Sequence, residues 1–146
     1  MINRALALAA FAAFFFLGTA VAQDTEFRVV RVIDGDTLEI TGPALPGGLK
    51  NLRLRVLGVD TPEKGSLAHC EQEKALAAKA KAFTQETVTK AKAVRVKLDR
   101  WDKYGGRVLG DVLIDGQSLS HLLVAQGYAV PYFGRGPKKD WCTRTL

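Results

Sequence analysis

The sequence predicts a mainly β domain with helices (α+β), built as a five-stranded Greek-key barrel. A long helix follows the third strand and a second helix follows the fifth. Three observations point there. Short runs with apolar and polar residues in strand-like patterns recur five times. Asp-Gly dipeptides punctuate them at Asp34-Gly35 and Asp115-Gly116. One long Ala-, Glu- and Lys-rich stretch with apolar residues at helical spacing falls after the third run.

The chain begins with a leader. Met1 to Arg4 is a short positive segment, Ala5 to Leu17 is continuously apolar, and Ala20-Val21-Ala22 precedes Gln23. This is the pattern of a secretory signal peptide cleaved after Ala22. An uncleaved anchor is the alternative, but the apolar run is shorter than the ~20 residues a membrane span needs. The expected organisation is therefore a signal peptide over 1–22 and a single domain over 23–146. The protein is expected to be exported, to the periplasm or the medium, with no stable membrane partner after cleavage.

The elements follow in order. Phe27 to Ile33 is β-rich, and Thr37 to Ile40 resumes the extended pattern after the turn, giving a hairpin. Thr41 to Lys50, rich in glycine and proline, is a loop. Leu52 to Val59 is the third strand; Leu52, Leu54 and Val56 alternate with Arg53 and Arg55, which puts Arg55 on the face opposite the apolar stripe. Glu71 to Lys92 is the long helix, with Leu76, Ala80, Phe83, Thr87/Val88 and Ala91 as its inner face and lysines on a solvated one. Val94 to Asp99 is a fourth, half-buried strand, and Arg100 to Gly106 is polar and turn-like. Arg107 to Ile114 is the fifth strand. Ser118 to Gln126 is the second helix, stopped by Gly127, and the chain from Tyr128 is irregular. This succession matches an OB-type barrel, which binds ligands on its strand 2–3 face and adjoining loops. Strand count by itself also admits a small α+β sandwich.

Charge and cysteines narrow the class. Twenty-one Lys and Arg stand against fifteen Asp and Glu, a net charge of +6, and removing Arg4 with the leader takes it to +5. Such a surface attracts polyanions and speeds their encounter, without identifying nucleic acid. The two cysteines, Cys70 and Cys142, sit in a chain expected to be exported, where a disulfide is chemically permitted. A loop this long could be worth up to ~4 kcal/mol. Two unrelated buried thiols are the plainer alternative.

Several catalytic templates are absent. Gly116-Gln117-Ser118-Leu119-Ser120 lacks the second glycine of a nucleophile elbow. His69 and His121 form no two-histidine metal motif. Asp34 and Asp36 resemble an EF-hand start, but Leu45 stands where that loop needs its bidentate Glu. There is no P-loop and no dinucleotide fingerprint. What remains is a distributed set: Asp36, Arg55, Asp60, Thr61, Glu63 and Arg107. Arg55 lies five residues before Asp60 and eight before Glu63. Two aspartates, a backbone carbonyl and waters suit a hard cation such as calcium. Two arginines can clamp a phosphate, and a glutamate can deprotonate or orient water for in-line attack. Each residue also has a plainer role: Asp36 as a turn former, Asp60 as a cap, Thr61-Pro62-Glu63 as a helix start, Arg107 as a solvated strand end.

Three ordered motifs then carry a resemblance: Ile33-Asp34-Gly35-Asp36-Thr37-Leu38, Arg55 with Val59-Asp60-Thr61-Pro62-Glu63, and Asp102-Lys103-Tyr104-Gly105-Gly106-Arg107. Together with Asp115-Gly116 and Leu122 to Ala129, they resemble the thermonuclease (staphylococcal nuclease-like) family over about residues 27–130. The resemblance implies an OB barrel and calcium-dependent hydrolysis of DNA and RNA, with single strands favoured, breaking the P–O5′ bond and leaving 3′-phosphate ends. It implies Asp36, Asp60 and the Thr61 carbonyl as Ca2+ ligands, Glu63 as general base or water-positioning group, and Arg55 and Arg107 as phosphate ligands. Tyr104 matches a tyrosine near the terminal phosphate; Tyr132 and Phe133 are candidates for base stacking. The protein is expected to act as a monomer. Two departures stand out. Gly105-Gly106 is one glycine longer than the familiar form, so a bulge is needed to keep Arg107 aimed at the site. The chain also reaches Leu146 without a long final helix, and a Cys70–Cys142 link would tie the tail to the first helix instead. The competing reading is a non-catalytic barrel that binds single-stranded nucleic acid through basic and aromatic residues, which leaves Glu63 and the paired aspartates unexplained.

Overall fold

A computed structural model of the protein describes residues 27–43 and 45–143. The expected leader, residues 1–22, lies outside the described residues. Strands β1 (Arg28–Asp34) and β2 (Thr37–Thr41) form the anticipated hairpin, with Asp34 paired to Thr37 and the two-residue turn made by Gly35 and Asp36. β3 is Leu52–Val56, β4 Val59–Asp60, β5 Val94–Trp101, β6 Arg107–Ile114, β7 Gln117–Ser118 and β8 Val130–Pro131; the helices are α1 (Glu71–Lys90) and α2 (Leu119–Ala125). The main sheet runs β1-β2-β3-β6-β5 and curls into a half-barrel of OB type, with β3 and β6 parallel and the other neighbours antiparallel. Among the described residues no ladder joins β1 to β5, although the two strands approach each other.

The core follows from strand alternation. Leu38, Ile40, Leu54, Val56 and Val112 point inward from the sheet, and Leu119 and Leu123 of α2 close it. Arg53 and Arg55 take the other face of β3, as the period of two requires.

Four expectations about the elements need correction. The third strand does not run through to Val59. It ends at Val56, Gly58 turns the chain at φ 79°, and Val59-Asp60 pairs with Val130-Pro131 in a separate two-stranded sheet. The segment after Tyr128 is therefore not wholly irregular. The fourth strand extends through Arg100 and Trp101, leaving Asp102 to Gly106 as the turn. The inner face of α1 is also rotated from the expected stripe. Ala80 is buried as anticipated, but the other fully buried positions are Glu73, Ala77 and Thr84, while Leu76, Phe83, Val88 and Ala91 are only half-buried. The cause is polar: α1 lies against the hairpin turn, and Thr84 Oγ1 donates to the Gly35 carbonyl at 2.6 Å. A Cβ at Gly35 would sit 2.8 Å from the Ala80 Cβ and 3.0 Å from Thr61 Cγ2, so glycine is what lets turn, helix and the post-β4 loop meet. The lysines of α1 are exposed, as expected.

Candidate active site

The hairpin turn delivers Asp36, the end of β3 delivers Arg55, and β4 with its following loop delivers Asp60, Thr61 and Glu63. The structure brings these together. Asp36 and Asp60 are both 2 % exposed. Arg55 bridges them, with Nη1 2.9 Å from Asp36 Oδ1 and Nη2 3.3 Å from Asp60 Oδ1. Asp36 also accepts from the Thr37 hydroxyl at 3.0 Å and from the Thr61 backbone N–H at 3.2 Å. Thr61 is thus held against Asp36 by its own backbone, and Arg55, half-buried on the face of β3 away from the core, links the two aspartates where it lines the groove.

Burial pushes the Asp36 carboxyl above the usual carboxylate range, against the opposing pull of Arg55 and the hydrogen bonds from Thr37 and Thr61. Among the described residues no three His, Cys, Asp or Glu side chains converge as a ready-made metal cage. What the site does offer is two buried carboxylates, Asp36 and Asp60. These are hard oxygen donors, and they fit a cation that keeps several waters.

Glu63 is part-exposed at the edge of the site. Its backbone N–H donates to Glu73 Oε1 at 3.1 Å, and the same buried Glu73 carboxylate accepts from the His69 N–H at 2.7 Å. Glu73 therefore clamps both ends of the loop that carries Glu63. The Glu63 carboxylate accepts from Lys138 Nζ at 2.8 Å, and Lys138 Nζ lies 2.8 Å from Asp60 Oδ1 as well. Burial opposes charge on Lys138, but hydrogen bonds to Asp60 and Glu63 outweigh it and raise its affinity for the proton.

Arg107 opens β6 on the same sheet face as Arg55, since the parallel register sets Arg53 beside Arg107 and Arg55 beside Leu109. Gly105 and Gly106 take positive φ of 70° and 68°, and β5 carries a bulge between Leu98 and Arg100. Arg107 thus lines the same open groove of about 1290 Å³ as Asp36, Arg55 and Glu63, and its Nε is paired with Asp102. Among the described residues no hydrogen bond or ion pair joins it to Asp36 or Asp60, so the structure gathers five of the six candidates and sets the sixth elsewhere on the groove wall.

The aromatic candidates line the groove too. Tyr104 is 75 % and Phe133 82 % exposed, while Tyr132 is half-buried and its hydroxyl lies 3.4 Å from the Gly136 carbonyl. Trp101, half-exposed on the same groove, ends strand β5 and is not part of the polar turn. Cys70 and Cys142 form the expected disulfide, with Cα atoms 6.0 Å apart. Cys70 is also the N-cap of α1, accepting from the Glu73 N–H at 3.4 Å, so the bridge does tie the tail to the first helix.

Lys138, Glu73 and Asp102 were not picked out as site residues from the sequence. Glu73 had a legible signal, standing three residues after the N-cap where a capping-box Glu belongs. Lys138 had none: it is 75 residues from Glu63.

A family model described as staphylococcal nuclease homologue matches residues 53–144. Asp36 lies upstream of that match and reaches the site through the fold. The chain is 31% identical over 120 residues to an uncharacterized endonuclease of Escherichia coli, covering 82% of this chain and 69% of the relative. It is 32% identical over 120 residues to a thermonuclease of Staphylococcus hyicus, covering 81% and 66%.

Proposed function

Because the chain belongs to the family of staphylococcal nuclease homologues, and is accordingly a nuclease that hydrolyses phosphodiester bonds, we propose that it is an exported, calcium-dependent enzyme acting on DNA and RNA with single strands favoured. The observation that carries this reading is the convergence of buried Asp36 and Asp60 on Arg55, with Glu63 alongside.

In this reading Asp36, Asp60 and the Thr61 carbonyl hold the calcium ion. When bound, the ion would supply positive charge that activates water and offsets charge growing on the phosphate. Arg55 and Arg107 approach the phosphate from two sides of the groove and donate to its non-bridging oxygens as charge builds on phosphorus. Glu63 orients the water opposite the leaving O5′ and takes its proton. The water oxygen bonds to phosphorus, the P–O5′ bond breaks, the O5′ takes a proton, and a 3′-phosphate end remains. Tyr104 borders the terminal phosphate, and Tyr132 and Phe133 offer faces for bases to stack on. The protein works as a monomer in the periplasm or medium after loss of residues 1–22.

The test is to incubate denatured DNA, and separately RNA, with the purified protein and map the product ends. Calcium-dependent cleavage leaving 3′-phosphates is expected. Cleavage that persists in chelator, or leaves 5′-phosphates, overturns this reading.

A further inference from the structure

The tail crosses the site under restraint. Val130 and Pro131 are pinned by pairing with β4, and the Tyr132 N–H donates to the Gly58 carbonyl at 2.9 Å. Cys142 is pinned by the disulfide to Cys70. Between these anchors Lys138, following the stiff Pro137, sets its ammonium 2.8 Å from both Asp60 Oδ1 and Glu63 Oε1. We propose that Lys138 is a tethered counter-ion for the metal-side carboxylates, which a divalent cation must displace, so that this residue sets the protein's metal affinity.

The inference rests on the proposed role of Asp36 and Asp60 as metal ligands. Charge balance supports it. Among the described residues, the cations paired with Asp36, Asp60 and Glu63 are Arg55 and Lys138, leaving one net negative charge. A divalent cation added with Lys138 in place makes the cluster net positive, whereas the same cation with Lys138 swung out makes it neutral. Lys138 has room to leave, since its side chain is 44 % exposed while Asp60 is 2 % exposed. The two anchors keep it near, and a tethered ammonium competes at a high effective concentration. Once displaced, the ammonium stays at the groove rim and frees the Glu63 carboxylate to accept a proton from water. Lys139 is the natural control: it lies 4.4 Å from the centre of the Trp141 ring, and its amine bonds to neither Asp60 nor Glu63.

The experiment is calorimetric titration of calcium chloride into metal-free wild-type protein, Lys138→Ala and Lys139→Ala, with no substrate present. Lys138→Ala is expected to bind calcium more tightly on the order of tenfold, while Lys139→Ala stays within about twofold of wild type. Equal affinity in wild type and Lys138→Ala overturns the inference and leaves the metal site standing. Equal tightening in both variants also overturns it, because general surface charge then explains the effect. No calcium binding in any of the three sinks the metal site itself, and the inference with it.

Discussion

Glu63 is held at two points, and each makes a separate expectation. In its proposed role its side chain takes the proton of the attacking water, so Glu63→Gln should lower kcat by about 10²–10⁴-fold with little change in fold or nucleotide binding. Steady-state kinetics beside circular dichroism will check this; unchanged turnover removes Glu63 from the reaction. Its backbone is held by Glu73, whose buried carboxylate also accepts from the His69 N–H. Glu73→Ala leaves those N–H groups without their partner and should cost roughly 1–3 kcal/mol in urea unfolding, with a loss of turnover as the Glu63 loop loosens. Arg55 is different, because it serves structure and chemistry together. Removing it leaves two carboxylates that are 2 % exposed without their shared cation, so Arg55→Ala should both unfold at lower urea and bind nucleotide phosphate weakly. Normal stability and normal affinity together would contradict the bridge.

At the level of elements, the pairing of tail to helix should matter most. The Cys70–Cys142 bridge closes a separation of 72 residues, and Cys142→Ala is expected to lose about 2–4 kcal/mol of unfolding free energy. Urea titration of the oxidised and variant proteins will measure it. Most elements were legible because their periodicity is local: β2, β6 and the inner face of β3 follow from strand alternation, and the disulfide from a single possible pairing. The split between β3 and β4 left a fainter trace. Leu52, Leu54 and Val56 share one parity, Val59 breaks it, and Gly58 between them turns the chain at φ 79°. The β4–β8 pairing left none, since two residues including a proline carry no strand period. The rotated face of α1 was hidden for another reason. Thr84 is buried against the Gly35 carbonyl, distant in sequence, and Glu73 against backbone N–H groups of the loop before the helix; hydrophobic periodicity registers neither polar contact. Ion pairs such as Lys138 to Glu63 were hidden in the same way.

Across the whole molecule, the site is assembled from parts far apart in the chain, and the curled sheet is what unites them. Asp36 arrives on the hairpin, Arg107 from the parallel strand β6, and Lys138 from a tail anchored at both ends. Such a site reads as one only when folded, which is why the sequence supplied candidates but not their bonding. The net charge of +6 belongs to this scale too. Binding of single-stranded DNA should weaken steeply as salt rises, with a log–log slope of about −0.7 for each phosphate neutralised; fluorescence titration at several salt concentrations will give it. The most direct measurement is the hydrolysis rate of denatured DNA by the purified protein as free calcium is buffered from zero upward. The expected result is a rate that saturates with calcium and vanishes on chelation. A rate indifferent to calcium in a folded preparation would contradict the assignment of Asp36 and Asp60 as metal ligands.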